Sequence, residues 1–424
     1  MICRGEGLKI GLRGALSNEV LKRNLVVLGV TSAASTFSIS LWQGYLPPYL
    51  VTRLGDPVLV GLAFSAYSFV TVLAYVFAGW LGDNYGRKVV IVLNSFVLGL
   101  APVLLMASDG TVLMLAPVLY YWAVTALKPN FNAMVTDDVQ PSFRGRALGA
   151  FNSMAVSVSA VAFLLSGFQL SKGSVIARSS YDLPSMAPLF MYSAVIVLTI
   201  AVARLLFLTE TYRPQGGRND KLRTVLSGVL VPLRRRTLFL PTLAYMLHDA
   251  ALSLVLFLVP IYADQVVGMP PWLLGAMFAV QTVLLFALQV PFGRIADKRG
   301  RTWTIIVSFL LEAVLVVVFI LDPNPIYAFV MYALWIGMGQ MDAPAQYALL
   351  ADMTRIEERA TVIGGFGAIT TLVAIPAPLL GGYLYKGLVA APFYLCSALL
   401  ASSATIMIAY RVAFKRAGDA DVLL

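Results

Sequence analysis

This chain of 424 residues holds one histidine, two cysteines and few charges. Cys3 and Cys396 lie near opposite ends, so neither a disulfide framework nor a cysteine–histidine metal spacing can be built from them. Charged residues make up 12% of the chain, against roughly 25% in a soluble domain. With 59% hydrophobic residues the chain cannot cover a water-facing surface, whereas lipid can cover it. No G-x-x-x-x-G-K-[ST] stretch occurs, which argues against ATP as the energy source, and no nucleophile–base–acid set stands out. The expectation is a chain that is not an enzyme and needs no cofactor or metal. Its net charge of +10 does not read as nucleic-acid binding, because the bases sit in short loops between apolar runs. Anionic lipid headgroups and membrane topology account for them better.

What is present is a succession of apolar runs. A membrane span needs about 20 such residues. That ruler gives twelve candidates, from Leu25–Val51 to Ala390–Val412, with Ile326–Ala351 as the tenth and Ala360–Tyr383 as the eleventh. Long runs of Leu, Val, Ala and Phe argue against a β-barrel, whose strands alternate. Of the 31 Lys and Arg, 25 fall in loops on one side and 4 on the other, while Lys128 and Arg204 lie inside spans. The excess of bases predicts that both termini are cytoplasmic in a multi-pass cell-membrane protein.

The segment 209–236 is the longest loop and the most basic. It separates an N-terminal six-span half, 1–208, from a C-terminal half, 237–424. Within it Leu222, Leu226, Val229 and Leu233 recur at helical spacing beside Arg223 and Arg234 to Arg236, which reads as a short amphipathic helix on the inner membrane surface. The halves are repeats. Gly61 and Gly275, Gly79 and Gly293, Asp83 and Asp297, and Arg87 and Arg301 each differ by 214. Parallel six-span repeats are one route to a transporter.

The stretch "GWLGDNYGRK" after span two resembles the loop signature of the major facilitator superfamily, matching at Gly79, Leu81, Asp83, Gly86, Arg87 and Lys88. A weaker copy after span eight keeps Gly293, Asp297, Gly300 and Arg301. The resemblance implies an all-α membrane protein of twelve helices in two pseudo-symmetric six-helix bundles. It also implies that these loop residues gate the cytoplasmic side. Asp83 would meet the helix beginning near Ala360, and Asp297 the one near Arg146. Spans one, four, seven and ten would line the central cavity.

Ionisable groups within spans cost at least ~2.5–3.5 kcal/mol at mid-depth and are functional candidates by default. Asp249, Asp342 and His248 are the candidates for carrying a coupling proton. Lys128 shares a helical stripe with Tyr121, Thr125 and Asn132, and Asp342 shares one with Trp335, Gly339 and Gln346. The repeat places Lys128 and Asp342 at matching depth, so they could pair across the cavity or remain apart. Asp249 shares a face with Tyr245. Glu312, on a span that is usually peripheral in the family, reads as a packing residue or a protonated acid facing a neighbouring helix rather than as a substrate contact. Span one carries Ser35, Ser38 and Trp42 on one polar face, which suits either a cavity lining or helix–helix hydrogen bonds, with Trp42 and Tyr45 alternatively placed in the outer aromatic belt. Gln281 and Gln340 complete the cavity candidates.

The expected activity is a monomeric secondary transporter that moves a small molecule by alternating access, coupled to protons and surrounded by lipid. Aromatic cavity stripes with few charges favour export of drugs or metabolites. The Gly-Pro signature that exporters of the family often carry in span five is missing. Proton-driven import of sugars or organic acids is the alternative, and a transport-inactive receptor or a lipid flippase on the same fold is another.

Overall fold

The computed structural model describes residues 19–107, 109–139, 143–173, 181–211, 230–355 and 359–416. Most of the expected amphipathic helix lies outside the described residues. Every regular element among them is helical. The helices are α1 (Glu19–Leu54), α2 (Pro57–Tyr85), α3 (Arg87–Leu104), α4 (Gly110–Asp137), α5 (Arg144–Gly173) and α6 (Leu183–Phe207), then a short turn of helix at Val231–Arg234. They continue as α7 (Arg236–Gln265), α8 (Pro271–Ala287 with Gln289–Arg299), α9 (Arg301–Phe319), α10 (Pro325–Gly339 with Asp342–Asp352), α11 (Arg359–Ala374 with Ala377–Gly387) and α12 (Ala391–Arg416). Among the described residues ten helices are long and apolar enough to cross a membrane, and the bent α8 makes eleven. The remaining one, α10, is split into two shorter pieces.

The breaks have one cause. A proline removes a backbone donor and clashes with the carbonyl four residues before it. The α-helical ladder is interrupted at Leu41–Tyr45 in α1, Leu256–Phe257 in α7, Leu288 in α8, Gln340–Met341 in α10 and Ile375–Pro376 in α11. Two to three residues beyond the end of each interruption stands a proline: Pro47, Pro260, Pro291, Pro344 and Pro378. Not every proline breaks its helix, since Pro117 and Pro129 lie inside an unbroken α4.

Packing divides the chain into two compact units. One comprises Met1–Trp42, Leu73–Ala162 and Ala187–Arg218; the other comprises Gln43–Val72, Phe163–Met186 and Asn219–Leu424. In the first, Leu28, Ile91, Met134, Val135 and Leu208 form a core joining α1, α3, α4 and the end of α6. In the second, Tyr245, Phe309, Phe366, Met407 and Tyr410 form one joining α7, α9, α11 and α12.

The repeat is written into the backbone. All four positive-φ residues among those described are glycines, and they form two repeat pairs: Gly55 with Gly268, and Gly86 with Gly300. Gly86 (φ 96°, ψ 147°) and Gly300 (φ 94°, ψ 138°) share a conformation that essentially only glycine adopts, and each starts the next helix.

Candidate functional site

Within the second unit, α7, α9 and α10 bring one imidazole among three carboxyl groups. His248 stands twelve residues from the start of α7 at Arg236, and Glu312 eleven from the start of α9 at Arg301. Both helices start at the end carrying the basic loops. At 1.5 Å per residue the two side chains therefore sit at one depth, roughly 17 Å in. Nδ1 of His248 lies 3.0 Å from Oδ1 of Asp249, and Nε2 lies 3.4 Å from Oε1 of Glu312. Asp342, in the first turn of the second α10 piece, is within electrostatic reach of His248, Glu312 and Asp249. His248, Glu312 and Asp342 are buried; Asp249 is the accessible member, with its side chain 35% exposed.

The break in α10 makes room for this cluster. The Glu312 carboxyl group lies against Gly339, where a Cβ would approach it to 3.0 Å. Ser308, one turn before Glu312, donates to the Met338 carbonyl and faces the same carboxyl group at 3.4 Å. The walls are aromatic. His248 stacks on Phe309 at 4.4 Å between ring centroids, and Tyr245 packs edgewise on Phe309 and Phe366.

The other expected cavity residues are arranged as follows. In α4, Thr125 is buried, Tyr121 and Asn132 are half-buried, and Lys128 is exposed. Tyr121 stacks edgewise on Tyr120, which in turn meets Trp42. The polar face of α1 is engaged by α6: Ser38 Oγ donates to Ser193, and Trp42 Nε1 donates to Ser193 Oγ at 2.9 Å. Ser35 is buried and its hydroxyl has no hydrogen-bond partner among the described residues. In the second unit Gln281 accepts from Tyr332 Oη at 2.8 Å, Trp335 is fully buried, and Gln340 and Gln346 are half-buried.

A second buried charge lies in the first unit. Arg204 of α6 is 3% exposed. Its Nε donates to Thr31 Oγ1 at 3.0 Å and its Nη1 to Ser95 Oγ at 2.8 Å. Both hydroxyls donate onward to carbonyls of their own helices, Val27 and Ile91.

At the end carrying the basic loops, Arg87 pairs with Asp137 and, in the other unit, Arg301 pairs with Asp352. Asp137 and Asp352 differ by 215, so the ion pair repeats with the fold. Lys88 N donates to Glu210 Oε2 at 2.8 Å, placing a carboxylate at the α3 N-terminus, where the helix dipole favours it. Gly79 lies within α2, the Asp83 side chain lies outside what is described, a Cβ on Gly293 would make ordinary contact with Pro344 at 3.8 Å, and Asp297 is exposed.

Comparison with known proteins identifies the family. The family model described as Major Facilitator Superfamily matches residues 28–284 and 242–420. The chain belongs to the major facilitator superfamily. It is similar to the multidrug resistance protein MdtG of Serratia proteamaculans (strain 568), 25% identical over 307 residues that cover 70% of this chain and 71% of that protein. Its fold is similar to the crystal structures of the nucleoside transporter NupG (TM-score 0.70, 12% identity, 92% of this chain and 98% of that one) and of the peptide transporter POT with sulfate (TM-score 0.69, 15% identity, 93% and 95%). The chain is therefore a multi-pass membrane protein with the twelve-helix architecture of that superfamily, a secondary transporter of a small molecule and not an enzyme.

Proposed function

We propose that this transporter exports amphiphilic drugs or metabolites across the cell membrane in exchange for protons. The observation that carries the reading is the His248 cluster. Three carboxyl groups around one imidazole would hold two net negative charges if every group were ionised, in a site where uncompensated charge is expensive. Proton uptake and release is the cheapest way to balance it, and the accessible Asp249 gives protons a route in. Asp342 and Asp249 are the carriers in this reading, with His248 linking them to Glu312. Aromatic walls suit apolar substrate bodies, and the relatives named for multidrug resistance support export. Two six-span halves rocking about the cavity would provide alternating access.

The test is transport into proteoliposomes carrying an imposed pH gradient, with a panel of amphiphilic drugs. Accumulation of at least one compound that collapses with the gradient, and fails in Asp342→Asn, is expected. Movement indifferent to the gradient would reject proton coupling and leave a flippase-like reading. Proton-driven import of organic acids is the second reading, favoured by the exposed Lys128 ammonium in α4. There, substrate and proton would move in the same direction.

A further inference from the structure

At the end opposite the basic loops, the second unit joins α2 to α11 and α5 to α8, and the two contacts are related by the repeat. A Cβ on Gly61 of α2 would collide with the Pro378 carbonyl of α11, and one on Gly382 of α11 with the Pro57 carbonyl of α2. The same reciprocity links α8 and α5: a Cβ on Gly275 would strike the Phe163 carbonyl, and one on Gly167 would come within 2.8 Å of the Pro271 carbonyl. Gly61 and Gly275 differ by 214, and Gly167 and Gly382 by 215. Both contacts are thus backbone against backbone, which only glycine allows.

Their chemistry differs at the rim. On the α5–α8 side the closing bond is neutral: Trp272 N donates to Ser171 Oγ at 3.0 Å. Tyr45 supports it, donating to the Phe163 carbonyl at 3.0 Å. On the α2–α11 side the closing bond is ionic: Lys386 Nζ donates to Asp56 Oδ2 at 2.7 Å. Lys386 and Ser171 differ by 215, so the two bonds occupy matching places. Asp56 also caps α2, its Oδ1 accepting from Val58 N at 2.9 Å. Lys386 lies in the last turn of α11. Each charge therefore sits at the helix end whose dipole favours it, the acid at an N-terminus and the base at a C-terminus. Beneath the pair, Leu379 N donates to Ser65 Oγ at 3.0 Å, and Ser65 is buried.

We propose that Asp56 and Lys386 are a positioning pair for the transport cycle: an ionic latch on the α2–α11 contact that sets how often the outer side of the protein opens. The proposal rests on reading the chain as an alternating-access transporter. The latch is exposed at its rim, so it biases the equilibrium modestly, by roughly two- to fivefold, and salt screens it. The glycine contacts below supply close packing common to both sides, and the latch supplies the asymmetry between them.

The experiment uses the full chain in proteoliposomes with Cys3→Ser and Cys396→Ser, and a single reporter thiol from Ser65→Cys or, on the neutral side, Ser166→Cys. The rate of modification by a membrane-impermeant maleimide from the outer side reports opening. Asp56→Asn is the decisive variant, because Asn still caps α2 while the ion pair is lost. Asp56→Asn and Lys386→Gln should each raise both labelling rates roughly two- to fivefold. Lys386→Arg should restore the parent rates. One molar salt should speed labelling of the parent but not of Asp56→Asn. Unchanged rates in both charge-removing variants would overturn the latch, as would faster labelling at position 65 alone, which would mean local fraying. Labelling needs no substrate, so this result stands apart from the gradient assay that tests the function itself.

Discussion

Nε2 of His248 lies 3.4 Å from Oε1 of Glu312, a contact that ties α7 to α9 inside the apolar part of the protein. The imidazole's other nitrogen faces Asp249, its neighbour in sequence. A single ring thus connects an accessible carboxyl group to a buried one, and Asp342 completes the set from a broken helix. If this set carries the proton, its members should fail in different ways.

Glu312→Gln preserves size and one acceptor oxygen while removing a charge. Gradient-driven transport should fall on the order of tenfold or more, with exchange of substrate between equal concentrations largely kept. Asp342→Asn should do the same. A Glu312→Gln transporter with full gradient-driven activity would return Glu312 to a packing role.

How much of this was legible beforehand depended on whether the signal was local or crossed between helices. The twelve spans, the repeat and the loop signature were readable because length, apolarity and glycine spacing are properties of continuous sequence. The breaks in α1, α7, α8 and α10 were equally local, since Pro47, Pro260, Pro291 and Pro344 announce them, but the apolar runs read through them as single spans. In α11, Pro376 and Pro378 mark the break in the same way. Asp249, Asp342 and His248 stood out as ionisable groups in apolar runs. Glu312 also stood out, as a packing residue or a protonated acid facing a neighbouring helix, but the expectation that α9 is peripheral left that neighbour unnamed. Counting depth from Arg236 and Arg301 would have set it level with His248. The hydrogen bonds of Ser38 and Trp42 to Ser193 were not legible, because a helical stripe gives a face but not the neighbour it meets. The same holds for Asp56 and Lys386, which lie 330 residues apart.

Arg204 is a buried cation bonded, among the described residues, to two hydroxyls and no carboxylate. Burying such a charge costs several kcal/mol before its hydrogen bonds are counted. Arg204→Met fills much of the same volume and leaves Thr31 and Ser95 bonded to their own helix carbonyls. The melting temperature in detergent should change little or rise, by an amount equivalent to less than about 2 kcal/mol in either direction. Arg204→Ala should destabilise by about 2–5 kcal/mol, as large-to-small changes in a packed interior do. A Met variant as unstable as the Ala variant would show that the charge itself holds α1, α3 and α6 together.

Gly86→Ala forces a backbone conformation that costs about 1–3 kcal/mol outside glycine. The added Cβ would also press on the Glu210 carboxyl group, which accepts from Lys88 N at the start of α3. The variant should melt earlier, and Gly86→Ala combined with Glu210→Ala should recover part of the loss, because the pressed group is gone. Additive effects of the two changes would show that Glu210 and the glycine act independently.

Asp138, at the end of α4, is buried and accepts from Asn24 Nδ2 at 3.1 Å. Burial raises its carboxyl group above the usual carboxylate range, against the opposing pull of Asn24, Thr211 and Arg87. A carboxyl group raised on folding binds its proton more tightly in the folded state than in the unfolded one. Stability therefore falls as pH climbs from the ordinary carboxylate value through the raised one, and the full cost of the buried charge is present above that window. Asp138→Asn keeps an acceptor for Asn24 and removes the charge. Its melting temperature should exceed that of the parent at neutral pH, and the two should converge as pH falls toward 4, a value near the ordinary carboxylate range. Melting curves of both proteins from pH 4 to pH 8 check this. A variant less stable than the parent at neutral pH would mean that the ionised Asp138 is held by its partners more strongly than burial disfavours it.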